Sequence, residues 1–124
     1  MCIRDRNNVP YLEISDFNSD GTLRDLVGNG KCVVIMVQAN YCGHCTVAKP
    51  EYEKVAKSTN KVIFATICID GTEDEQKASK FLQEWDKSYR GVPSYFGFDK
   101  NGRFKKVHNN GRDAKSLEKF GFSL

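Results

Sequence analysis

Six consecutive apolar residues, Cys32-Val33-Val34-Ile35-Met36-Val37, end a few positions before a cysteine pair, Cys42 and Cys45. A strand without polar alternation cannot leave one face in water, so this run requires cover on both sides. From Cys42 the pattern changes. Ala48, Tyr52, Val55 and Ala56 recur at helical spacing and make one apolar face. Pro50 lies inside that helix and is expected to kink it. A buried strand therefore runs into a helix, and the two cysteines stand at the junction.

The rest of the chain supplies the cover. Leu12 and Ile14 alternate with polar neighbours and predict a short strand, followed by a weak helix over Ser19 to Val27 that stops at Gly28-Asn29-Gly30. Val62 to Ile69 predicts a second buried strand. Thr72 with Glu75 is a capping box, and Ala78, Phe81, Leu82 and Trp85 continue its helix as an apolar stripe. Glu73, Asp74, Glu75, Lys77 and Lys80 read as its solvated face, and His108 as a surface strand residue. After a loop carrying Gly91-Val92-Pro93, the segments Tyr95–Asp99 and Arg103–His108 flank Asn101-Gly102, a hairpin signal. A short helix from Asp113 to Phe120 closes the order β-α-β-α-β-α-β-β-α. The expectation is one α/β domain over residues 9–124, with a mixed central sheet of parallel strands and a C-terminal antiparallel hairpin, flanked by helices. Residues 1–6, Met1-Cys2-Ile3-Arg4-Asp5-Arg6, match one reading frame of a transposon end used in preparing sequencing libraries. They are read as a sequencing-adaptor artefact and set aside from the fold. This end leaves localisation unknown, with a lumen like that of the endoplasmic reticulum or a cytoplasm both open.

Composition narrows the partners. The net charge is +3 and the Lys and Arg residues are scattered, which argues against nucleic acid, because phosphate binding needs a basic stripe. No apolar run approaches the roughly 20 residues of a membrane span, so no membrane is expected. Five cysteines cannot all pair within the chain. Cys32 and Cys68 read as small buried hydrophobes. On neighbouring parallel strands they would lie at opposite sheet ends, roughly 15–20 Å apart, against the about 7 Å that a disulfide tolerates. A zinc site would need two further ligands at suitable spacing, and the sequence offers none, so no metal is expected. A c-type haem motif fails at Thr46, where histidine is required.

The chemistry sits at the junction. A helix N-terminus presents unpaired N–H groups and partial positive charge, which favour a thiolate on Cys42 in the first turn. Cys45, one turn further in, is placed to form a disulfide with it. Attack by Cys42 on a client disulfide would give a mixed disulfide that Cys45 resolves.

Tyr41-Cys42-Gly43-His44-Cys45 resembles the active site of the protein disulfide isomerase branch of the thioredoxin family, and Pro50-Glu51-Tyr52-Glu53-Lys54 is similar to the segment that follows it there. Arg90-Gly91-Val92-Pro93 resembles the family's substrate-binding loop, whose proline peptide is cis, and Asn101-Gly102 with Gly111 resembles its terminal hairpin. The similarity runs from Leu12 to Phe120 and implies a thioredoxin fold. It implies catalysis by Cys42 and Cys45, redox tuning by Gly43 and His44, and substrate binding by Tyr41, Val92 and Pro93. A cationic His44 near Cys42 would stabilise the reduced dithiol and make the disulfide a better oxidant. Protein disulfide isomerase and thioredoxin differ on this scale by about −180 against −270 mV, roughly 4 kcal/mol for two electrons. No cofactor is implied beyond a redox-active Cys42–Cys45 disulfide. The implied partners are thiol- or disulfide-containing proteins, with glutathione or a reductase as redox partners, acting on a monomer. A cytoplasmic reductase and a redox-weak polypeptide-binding module using the same groove stand as alternatives.

Three positions and one segment length depart from the pattern. Tyr41 stands where Trp is usual, and Thr46 replaces a common Lys. Met36, six residues before Cys42, occupies the place where relatives carry a buried Asp or Glu that relays the proton of the second cysteine. The 22 residues between Asp70 and Pro93 exceed the usual number.

Overall fold

The unbroken apolar run builds the centre of a four-stranded sheet. The computed structural model describes residues 9–39, 41–59, 61–85, 93–108 and 113–124. In it the run is β1 (Cys32–Gln38), buried at every position after the first. β2 (Val62–Cys68) pairs with it in parallel on one side. β3 (Ser94–Phe98) pairs antiparallel on the other side, and β4 (Phe104–His108) follows at the edge, giving the order β2-β1-β3-β4. The helices are α1 (Asp25–Gly28), α2 (Gly43–Ser58), α3 (Glu73–Ala78), α4 (Leu82–Trp85) and α5 (Ala114–Phe122). The mixed α/β sheet expected from the sequence is thus present.

Side-chain alternation along β1 divides the core in two. Val34 and Met36 face α2 and α5, joined by Cys45, Ala48, Tyr52, Val55, Leu117 and Phe120. Val33, Ile35 and Val37 face the opposite way, toward Leu12, Phe17, Phe81, Leu82, Phe96 and Phe98. Two covered faces explain why this strand lacks polar alternation. Tyr52 fastens α2 to the sheet: its hydroxyl shares its one proton between Val34 O, at 2.9 Å, and Ala65 O. Trp85 is half-buried among rings, with Phe17 at 5.5 Å and Phe98 at 4.9 Å, and donates its Nε1–H to Gly21 O.

Several local expectations are corrected. The strand at Leu12 to Ile14 reduces to one parallel bridge between Tyr11 and Thr66. The chain then leaves the sheet because the Asp16 carboxylate accepts the Glu13 N–H at 2.8 Å, closing a 3-10 turn over Ile14–Asp16. The helix expected from Ser19 keeps only Asp25–Gly28. Asp20 accepts bonds from both the backbone N–H and the hydroxyl of Thr22, and this turn competes with helix. The helix opened by Thr72 is interrupted by a 3-10 turn over Ser79–Phe81, where the Ser79 N–H bonds back toward Gln76 and Lys77. Two residues expected at the surface are buried: Glu75, tied into its capping box with Thr72, and His108, whose ring packs on Phe120 at 4.7 Å. At the hairpin Gly102 has φ +80°, and a Cβ there would meet Leu23 O at 2.6 Å. Only glycine fits that approach.

Candidate functional site

β1 ends at Gln38, and within a few residues the chain turns into α2. Cys42 is the residue before the first turn of α2, a correction to its expected place inside that turn. Its backbone is extended, with φ −87° and ψ 110°, and its Sγ accepts the Cys45 N–H at 3.1 Å. The thiol therefore occupies the position of a helix-capping acceptor, satisfying one of the N–H groups that a helix start leaves open. Cys42 N donates to Ala39 O at 3.2 Å, and the Thr46 hydroxyl donates to Cys42 O at 3.2 Å. These bonds fix the sulfur over the helix end.

The two thiols differ in access. Cys42 keeps 7% of its surface exposed, and Cys45 keeps none. Burial pushes the Cys45 thiol up to about 12, its hydrogen bond with Cys42 acts the same way, and the positive charge of Lys49 opposes both. Around them Tyr41 is 74% and Val47 77% exposed, and Gly43 and His44 also face solvent. Residues that the sequence assigned to chemistry thus lie in one patch at the end of β1. Pro93 is brought to the same sheet end, since the adjoining Ser94 pairs with Val37. Val92, and with it the expected cis Val92–Pro93 bond, lies outside the described residues.

The other cysteines are held apart. Cys32 pairs with Val62 and Cys68 with Gln38, at opposite ends of the β1–β2 register, as the sequence predicts. Cys32, Cys42, Cys45 and Cys68 are free thiols. Cys68 donates to Asp70 Oδ1 at 3.1 Å, and burial followed by that bond pushes it up to about 11. Among the described residues no three His, Cys, Asp or Glu side chains gather as a metal site, and no helix is long and apolar enough to cross a membrane.

A thioredoxin family model matches residues 14–120. The chain belongs to the thioredoxin family. Among relatives in the family, a thioredoxin-like protein, 453L of Invertebrate iridescent virus 6, is 36% identical over 122 residues, spanning 88% of each chain. Protein disulfide-isomerase erp38 of Neurospora crassa is 27% identical over 120 residues, covering 94% of this chain but 30% of its own length. The fold is that of spinach chloroplast thioredoxin f, with a TM-score of 0.68 and 21% identity over 94% of this chain and 93% of that one.

Sequence reasoning missed a polar chain beside this candidate site. Gln38 Nε2 donates to Thr66 Oγ1 at 2.9 Å, and the Thr66 hydroxyl donates to Met36 O at 2.7 Å. The signal was present, because Gln38 breaks the apolar run at its last position. Access and acidity give a direct expectation for the reduced protein. A thiol that burial holds protonated is ionised far less at neutral pH than an open one. Iodoacetamide should therefore modify Cys42 well before Cys45. Cys45 labelling, followed by peptide mass mapping, should keep rising through the alkaline range; Cys45 reacting first would overturn this.

Proposed function

We propose that this chain is a thiol–disulfide oxidoreductase that exchanges disulfides with protein substrates through Cys42 and Cys45. The carrying observation is their arrangement at the start of α2, where the Cys42 sulfur caps the helix by accepting the Cys45 N–H at 3.1 Å while the Cys45 thiol is sealed beneath. Cys42 attacks a client disulfide, forms a mixed disulfide and releases one client thiolate. Cys45 then loses its proton and displaces the client from Cys42. The client has gained two electrons, and the pair has become a disulfide. Run backward, the same steps oxidise a client dithiol. In this reading Tyr41, Val92 and Pro93 bind the client, and Gly43 and His44 tune the potential.

The finer reading is isomerase- or oxidase-like, supported by His44 between the cysteines and by similarity to erp38. A reductase role is supported by similarity to the viral thioredoxin-like protein along most of both chains. Equilibration of the Cys42–Cys45 pair with glutathione separates them, since the isomerase-like reading expects a potential nearer −180 than about −270 mV. Purified protein should also reduce insulin with dithiothreitol and reactivate scrambled ribonuclease in a glutathione buffer. Neither activity above a Cys42→Ser control would leave a polypeptide-binding module as the better account.

A further inference from the structure

The second step of this exchange has a difficulty that the two cysteines do not solve. Cys45 must shed its proton to attack, yet it is buried, and β1 offers it Met36 on the facing surface, which carries no charge. Any help must come from elsewhere around the thiol.

Cys45, Lys49 and Glu53 follow one another at four-residue spacing, along one face of α2. Lys49 and Glu53 line a small cleft together with Val9, Tyr11, Met36, Gln38, Tyr52 and Thr66, of about 10 Å³, the space one water molecule requires. Gln38 is 3% exposed, and its Oε1 is buried without a hydrogen-bond partner among the described residues. The orientation of this amide is fixed by its neighbours: the Thr66 hydroxyl donates to Met36 O, so it accepts from Gln38 Nε2, leaving Oε1 toward other groups. Gln38 lines that water-sized cleft, and its open buried acceptor is the kind of group a bridging water satisfies. Lys49 is half-buried on the same cleft and makes no hydrogen bond or ion pair among the described residues.

We propose that Gln38 and Lys49 are a positioning pair, joined through one water in this cleft, that holds the Lys49 ammonium where it stabilises the Cys45 thiolate. The water donates to Gln38 Oε1 and accepts from Lys49 Nζ. The ammonium is thereby drawn along α2 toward Cys45 instead of outward into solvent. In the resolving step the Cys45 proton passes to solvent, and the Cys45 sulfur forms its bond to Cys42 Sγ. The bond from Cys42 to the client breaks, and the client thiolate leaves and takes up a proton. Other titratable groups near the pair are Cys42 at the cap of α2, Tyr52 and Glu53 from α2, Tyr11 from the N-terminal segment and Tyr95 from β3. β1 and β2 contribute Met36, Gln38 and Thr66, none of which titrates.

The inference rests on the exchange reading above, and a two-step probe separates their failures. Ellman's reagent releases one thionitrobenzoate when Cys42 attacks and a second when Cys45 resolves. Stopped-flow traces would be recorded from pH 5.5 to 9 in a background with Cys2, Cys32 and Cys68 replaced by Ser. Lys49→Gln should slow the second release roughly tenfold at pH 7 and move its pH midpoint upward, leaving the first release unchanged. Lys49→Arg should restore most of the rate, and Gln38→Leu should give a smaller loss. A second release unchanged in rate and midpoint in Lys49→Gln would overturn the pair. Absence of a second release in the unsubstituted protein would instead overturn exchange through Cys42 and Cys45. Circular dichroism of each variant identifies losses that come from unfolding, and a Lys49→Gln protein that loses both releases together would count against the proposal.

Discussion

Replacing Cys45 with Ser should leave the protein covalently joined to its clients through Cys42. The resolving thiol lies one helical turn from the mixed disulfide, and its backbone N–H already contacts the Cys42 sulfur at 3.1 Å. A thiol on the adjoining helical turn reacts as though present at very high concentration. Without it, release depends on external thiols, and the mixed disulfide should persist longer by roughly three orders of magnitude. Cys42→Ser should trap almost nothing, because the remaining Cys45 is sealed and held protonated by its burial and its bond to Cys42. The comparison belongs in a background lacking Cys2, Cys32 and Cys68. Non-reducing electrophoresis with mass mapping of the linked peptides reads the result. Equal trapping by both variants would reverse or abolish the assigned roles.

What the sequence disclosed and what it concealed follow from the range of the interactions involved. β1, β2 and α2 were legible because burial on two faces, or on one helical face, writes itself into consecutive residues. The hairpin was legible from Asn101-Gly102, and the capping box from Thr72 and Glu75. The short strand at Leu12 and the helix at Ser19 were misread. There, single carboxylates, Asp16 and Asp20, bind nearby N–H groups and override weak periodicity. Glu75 and His108 looked like surface residues, since only the packing of distant segments decides that they are covered. The site divides the same way. Cys42 and Cys45 announce themselves by spacing, while Gln38, Thr66 and Lys49 come from three elements and meet only in the folded chain. That Cys42 caps the helix from outside its first turn was likewise invisible, because spacing places a residue along the chain and not its backbone angles.

Met36→Glu should lower stability and test how the Cys45 proton leaves. Met36 is 1% exposed, packed in the core that holds Cys42, Cys45, Tyr52 and Tyr95. A carboxyl group there loses its hydration, at a cost of about 2–4 kcal/mol, which for a domain of this size corresponds to a melting point lower by roughly 10–15 °C. The sign with pH follows from that burial. The carboxyl is held protonated more strongly in the fold than in the unfolded chain, so the penalty is smallest below about pH 4.3 and grows as pH rises above it. Thermal unfolding followed at pH 4 and pH 7 should show the gap between variant and parent widening with pH. At the same time the carboxylate would stand beside Cys45 as a proton acceptor, and the second thionitrobenzoate release should quicken several-fold near neutrality while the first stays unchanged. A folded variant with no faster second step would mean that proton removal from Cys45 does not limit resolution. A variant as stable as the parent at pH 7 would mean that the new carboxylate has found a cation, and Lys49 lines the same cleft as Met36.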